Sequence, residues 1–214
     1  MRLNDLLNTS AANHERLCPR QVLGVRMGLA AGRVLGLDVP RRDKRLLVFV
    51  ETDGCFADGI SAATGCQVGH RTLRVIDYGK VAATFVDTWT GRAVRVAPRS
   101  GVRQRARAYA PEVDDRWQAQ LLGYQRMPDD ELVTIQDVQL LFSLERFISK
   151  SGHRVECQLC GEEILNEREV VHSGMTLCRA CAGEQYYIHS PGRLIQTGGP
   201  QTTLSVKGNP PSQR

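Results

Sequence analysis

The chain has 214 residues, 42% hydrophobic and 24% charged, and its 28 Lys and Arg against 23 Asp and Glu leave a net charge of +5. That composition excludes wholesale disorder and provides for one moderate core with a small satellite. The charge is too balanced to mark a protein that coats nucleic acid. Residues 1–8 lack the apolar run and cleavage site of a secretory signal, and no segment has the ~18 apolar residues needed to span a bilayer. A cytoplasmic location is expected, and with it reduced thiols.

Over residues 19–37, Leu23, Met27, Ala30, Val34 and Leu37 recur at helical spacing behind Pro19, which suits a first helical position. Gly24, Gly28 and Gly32 stand four apart within this helix. Each costs about 1 kcal/mol against Ala there, so close approach of a neighbouring backbone is the expected reason. Residues 45–51 predict a buried strand, Thr52-Asp53-Gly54 a turn, and the next stretch a short helix from about Phe56 to Ala63 closed by Gly65. Strands follow at 72–76 and 81–86, with Asp77-Tyr78-Gly79 as a hairpin signal between them, and at 93–96 after the Thr90-Gly91 turn. An antiparallel meander is the economical arrangement. Beyond Pro98, Val102, Ala106 and Tyr109 mark one face of a short helix, and a second helix is predicted from about Asp114 to Tyr124. Met127-Pro128-Asp129-Asp130 reads as a stop and a fresh start, and residues 133–141 as another strand, with a helix as the alternative.

Ser149-Lys150-Ser151-Gly152 reads as a linker. The expected organisation is an α+β core over residues 1–150, with helices packed on an antiparallel-rich sheet, then a small zinc-finger domain over 151–190. Residues 191–214, rich in Gly, Pro, Gln and Ser and without an acid, are expected to form a disordered tail.

Seven cysteines divide unevenly. Cys157-Gln158-Leu159-Cys160-Gly161 and Cys178-Arg179-Ala180-Cys181 make a C-x2-C pair on each side of a seventeen-residue spacer, which is four-thiolate zinc spacing. Two residues between cysteines let both sulfurs face one ion, Gly161 permits the turn, and a module this short cannot fold on apolar residues alone. A structural Zn2+ with all four positions filled is expected, and His153 and His172 are not needed to complete it. The other three, Cys18, Cys55 and Cys66, lie in the first third. Cys18 precedes the long helix and Cys55 the short one, and at a helix N-terminus the dipole stabilises a thiolate that can act as nucleophile or metal ligand. Filling of the core by these thiols is the alternative. If all eleven steps from Cys55 to Cys66 were helical, their Cα atoms would stand about 16 Å apart, too far for one ion, though Gly59 and Gly65 leave room for a shorter helix and a folded-back end. Cys55 therefore ranks first, with His14 and Cys18 as partners in a candidate second metal site and Cys66 behind them.

The combination of His-x3-Cys-Pro from His14, Gly24-x-Arg26-Met27-Gly28, Thr52-Asp53-Gly54-Cys55-x2-Asp58-Gly59-Ile60-x3-Thr64-Gly65-Cys66-x-Val68-Gly69 and a terminal four-Cys finger resembles the FmdE family of formylmethanofuran dehydrogenase proteins over roughly residues 10–187. The resemblance implies an α+β core followed by a zinc finger of the DksA/TraR C4 type. It also implies a homodimer and a core pocket on His14, Cys18, Cys55 and Cys66. The family takes its name from an accessory component of a molybdenum or tungsten enzyme of one-carbon metabolism. Here Gln67 follows the second Gly-Cys, and Gly69-His70-Arg71 adds either an imidazole near the pocket or a surface loop.

Six arginines, Arg92, Arg95, Arg99, Arg103, Arg105 and Arg107, occur between Asp87 and Glu112 without an acid. Such a run is suited to an anionic substrate, phosphate or nucleic acid, but a solvated helix face is the favoured reading over all three. The glycines of residues 24–32 lack the Gly-Lys-Ser/Thr ending of a phosphate loop. Asp53 and Asp58 are proton-carrier candidates beside Cys55, with a helix-cap role favoured for Asp53. Two functions follow. In the first, the core is a metal- and thiolate-dependent redox or accessory protein, an oxidoreductase or an accessory component of one in formylmethanofuran-type one-carbon chemistry, with Cys55 as the catalytic candidate. In the second, the finger is a regulatory or interaction module on a dimerising core.

Overall fold

In the computed structural model, which describes residues 2–12, 14, 16–148 and 152–188, the chain forms two units, Met1–Ile148 and Ser149–Arg214. The predicted tail and most of the predicted linker lie outside the described residues. The first unit runs α1 (Leu3–Ala11), α2 (Pro19–Leu35), β1 (Leu46–Val50), α3 (Cys55–Thr64), β2 (Leu73–Val75), β3 (Ala83–Asp87) and β4 (Ala93–Pro98). It continues with α4 (Val102–Arg105), a 3-10 turn (Ala106–Tyr109), α5 (Arg116–Arg126), α6 (Asp129–Leu132), β5 (Val133–Val138) and α7 (Leu144–Ile148). One sheet takes all five strands in the order β2-β1-β3-β4-β5, with only β1 and β2 parallel.

Alternation along the strands divides the core. Leu46, Val48, Val50, Phe85, Val94 and Val96 face the layer made by α1, α2, α3 and α5, where Met27, Phe56, Ile60 and Tyr124 are buried. Leu47, Phe49, Val86 and Ala93 face the other way, under Leu140, Phe142 and Leu144, with the Phe49 and Phe142 rings edge to face at 5.4 Å. The helix layer is tied together at backbone distance. A Cβ on Gly24 would stand 2.4 Å from the Phe56 carbonyl oxygen, and one on Gly28 would stand 2.7 Å from Ala63 Cβ. Gly24 and Gly28 thus mark the crossing of α2 with α3, the close approach of a neighbouring element that the sequence predicts, while Gly32 faces Leu37 and Val39 beyond the helix.

Two expectations are corrected. Strands β2 and β3 do not form a hairpin: β1 lies between them, parallel to β2 and antiparallel to β3. Strand β1 is buried along its whole length, and pairing on both edges satisfies its backbone. The loop at residues 77–80 closes over its end, where the backbone N–H groups of Tyr78 and Lys80 both donate to the Glu51 carbonyl at 3.0 Å. Asp53 does not cap α3. The N-cap is Gly54, whose φ of 75° suits glycine, and Asp53 is exposed one position too early.

At the far end of β3, buried Asp87 accepts from Arg45 Nε and Nη2 at 2.9 Å each, and the guanidinium stacks 4.4 Å from the Trp89 ring centre. Arg45 holds the Asp87 carboxyl down to about 2. A depressed carboxylate contributes stability above its unfolded value near 4 and loses it as pH falls through its folded value. Denaturant titrations are thus expected to show stability falling between about pH 4 and pH 2, of the order of 1 kcal/mol coming from this pair once screening is allowed for. Asp87→Asn should be less stable at pH 6 and lose less on acidification.

Candidate functional site

The second unit is two small hairpins, β6 (Arg154–Glu156) with β7 (Glu163–Leu165) and β8 (Val170–His172) with β9 (Met175–Leu177), followed by a helical turn (Ala180–Glu184). Gly161, at φ 74°, lets the chain turn so that its N–H reaches the Cys157 carbonyl at 2.8 Å. Ser173 and Gly174, both at positive φ, make the tight turn of the second hairpin. These turns bring the Sγ atoms of Cys157, Cys160, Cys178 and Cys181 within 4.8 Å of one another, a group able to hold a metal ion. Backbone N–H groups already point at the sulfurs: Cys178 N donates to Cys157 Sγ at 3.3 Å, and Cys181 N to Cys178 Sγ at 3.4 Å. Donors from Cys160 and Cys178 pull the Cys157 thiol down to about 6, while Cys178 pushes the Cys181 thiol up. Four crowded sulfurs cannot all carry charge without a cation, so the donor set fits a thiophilic metal. His172 and His153 are not in the group.

In the first unit, Cys18 is the N-cap of α2, its N–H donating to Gln21 Oε1 at 2.8 Å, and Cys55 opens α3. Because α2 and α3 cross at Gly24 and Gly59, their N-termini lie side by side and the two thiols meet. They form one wall of a cavity of about 660 Å³, whose other walls include Arg20, Arg103, Trp117 and Tyr124. Desolvation first and Cys18 second push the Cys55 thiol up. The helix dipole favours the opposite shift, but burial beside a second thiol outweighs it. His14 Nε2–H donates to Asp58 Oδ2 at 2.9 Å, one turn along α3 from Cys55.

Cys66 lies apart from the two thiols, and His14 is not among the residues that line their cavity. Cys66 sits past the far end of α3, a helix of ten residues and so about 15 Å long. It is 2% exposed and donates its S–H to the Leu46 carbonyl at 3.3 Å. Burial pushes its thiol up. Among the described residues, only the finger cysteines place three or more His, Cys, Asp or Glu ligand atoms in one cluster. Gln67, Gly69 and His70 are exposed, so that segment is a surface loop. Trp117, Gln120 and Tyr124, which carry no motif in the sequence, all line the cavity from α5. Their i, i+3, i+7 spacing marks a single helix face and is the one signal that could have pointed to them. Among the described residues, no helix is long and apolar enough to cross a membrane.

A curated relative, the probable S-adenosyl-L-methionine-binding protein of Archaeoglobus fulgidus, is 28% identical over 89% of this chain, which spans 56% of that relative's length. The crystal structure of a tungsten formylmethanofuran dehydrogenase FmdE-like protein from Syntrophus aciditrophicus aligns with a TM-score of 0.55 at 22% identity. That alignment covers 87% of this chain and 95% of the other, and shows a shared fold. The family model described as FmdE, molybdenum formylmethanofuran dehydrogenase operon, matches residues 13–134. The match takes in the whole cavity and stops before the finger. With more than half of its residues inside that match, the chain belongs to the FmdE family.

Proposed function

We propose that the first unit is a metal- and thiolate-dependent accessory or redox protein acting on a small molecule in formylmethanofuran dehydrogenase-type one-carbon chemistry, and that the finger carries a structural zinc. The observation that supports this reading is the meeting of Cys18 and Cys55, from separate helix N-termini, at the wall of a cavity. Cys55 acts there as ligand or nucleophile, with Cys18 as its partner. The hydrogen bond to Asp58 orients His14 and leaves Nδ1 available to a ligand or proton. Two thiols fall short of the three protein ligands usual at catalytic zinc, so a core metal would draw its remaining ligands from the bound molecule, or from His14 if that side chain moved to join them. A metal held there would supply Lewis acidity. The finger site, of the DksA/TraR C4 type, is closed and leaves no position for substrate. A cytoplasmic homodimer completes the reading.

Metal analysis tests it. About two metal ions per chain are expected in the purified protein, falling to about one in Cys55→Ala with the finger's ion retained. Cys157→Ser/Cys160→Ser should lose the other. A single ion per chain, unchanged in Cys55→Ala, would instead favour the finger as a regulatory or interaction module on a core without catalysis.

A further inference from the structure

The arginine run that the sequence leaves ambiguous is sorted by its partners. Arg92 pairs with Asp137, Arg95 with Glu51 and Arg107 with Asp114, while Arg105 donates to the Ser100 and Glu131 carbonyls. The other two members, Arg99 and Arg103, line the cavity, joined by Arg20 from the first turn of α2. Among the described residues, the guanidiniums of these three make no hydrogen bond or ion pair, and no Asp or Glu lines the cavity. Like charges gathered at a concave surface repel unless a counter-charge sits between them. The N-terminus of α2, seventeen residues long, adds its positive end at the same wall.

We infer that this cavity binds a small anionic molecule, whose carboxylate or phosphate group lies between Arg20 and Arg103 beside the two thiols. The inference rests on taking the cavity as the core functional site, but needs no metal there. Leu23, Val81 and Val102 give it apolar walls, and Trp117 and Tyr124 aromatic ones, so the anion carries an apolar or flat body. The cavity volume of about 660 Å³ falls in the range of small-molecule sites. Arg99 also borders a smaller cavity with Asp130 and Glu131, which leaves Arg20 and Arg103 as the main cradle. A nucleic-acid surface would string its cations along a groove, whereas here the other members of the run are engaged in internal pairs. S-adenosylmethionine, the ligand named for the Archaeoglobus fulgidus relative, carries a carboxylate but is net positive through its sulfonium and ammonium, which suits these cations less than a plain anion does.

Trp89 and Trp117 are the chain's two tryptophans, and Trp89 is 73% exposed on another part of the unit, so Trp89→Phe leaves Trp117 as a reporter in the cavity wall. In that background, at constant ionic strength, titration with inorganic phosphate and separately with succinate is expected to change Trp117 emission saturably. Response to phosphate alone marks a phosphate ligand, and to succinate alone a carboxylate. Arg20→Ala/Arg103→Ala should weaken binding about tenfold. Both arginines are exposed, so the fold should persist, and circular dichroism checks it. No saturable response to either anion, equal affinity in the arginine variant, or response only to a short oligonucleotide or to S-adenosylmethionine overturns the inference. The metal count of Cys55→Ala is read separately, so loss of the anion site and loss of the thiol-metal reading are distinguishable.

Discussion

Stripping metal from the protein with a strong chelator is expected to unfold residues 152–188 while the sheet of the first unit stays intact. Among its described residues the second unit buries only Cys157, Ile164 and Leu177 as apolar core, and its strands are three residues each. Such a core cannot offset the entropy of ordering the segment, about 1–2 kcal/mol per residue for backbone alone. A four-thiolate ion contributes about 10–16 kcal/mol of folding free energy in small modules of this kind, so its removal decides whether the unit folds. The first unit does not depend on that ion: its core runs from Leu6 to Val133 through the helix layer and sheet. Hydrogen exchange resolved by peptide measures the difference. Amides of residues 154–156, 163–165 and 170–177 should lose protection under chelation, and those of β1, β3 and β4 should keep it. Cys157→Ser/Cys160→Ser should reach the same state without chelator. Protection that survives in both experiments would mean the hairpins stand on contacts other than metal.

The four-cysteine cluster and the close packing of α2 against a neighbour were legible in the sequence because their signals are local. The two C-x2-C pairs need only a turn at Gly161 to converge, and three glycines at a spacing of four announce a helix packed against backbone. Strand order was not legible. Asp77-Tyr78-Gly79 has hairpin chemistry, but where the chain goes next depends on β1, whose two edges compete for β2 and β3 far from that turn. The cavity was half legible. Cys18 and Cys55 could be singled out as thiols at helix starts, yet that they meet depends on how two helices cross. Cys66, written in the same motif as Cys55, is carried to the opposite end of α3 by the helix itself. The arginine run could not be sorted in one dimension, because its partners Glu51, just past the end of β1, and Asp137, on β5, are distant in sequence.

Gly59→Ala is expected to destabilise the first unit by about 3 kcal/mol, although alanine is the better helix former by about 1 kcal/mol. Propensity and packing thus predict opposite signs, which makes the measurement decisive. A Cβ at position 59 would stand 2.3 Å from the Gln21 carbonyl oxygen and 3.1 Å from Gln21 Cα. Both are backbone atoms in the first turn of α2, so no rotamer change relieves the clash and one helix must move. Gln21 is fully buried, donates from Nε2 to the Ser10 carbonyl at 2.8 Å and accepts from Cys18 N. Displacing α2 there breaks those bonds and carries Cys18 with it, whereas displacing α3 carries Cys55. The variant should therefore lower the denaturation midpoint and also separate the two thiols. Gly69→Ala is the control, because Gly69 has open space around its Cβ position and an ordinary backbone conformation. That change should stay within about 0.5 kcal/mol of wild type. Gly24→Ala would clash with Phe56 O in the same crossing, so the Gly24→Ala/Gly59→Ala pair should cost less than the sum of its parts, helices once pushed apart having room for both methyl groups. Additive costs would mean the two contacts yield independently, and the thiols would then be positioned by something other than this crossing.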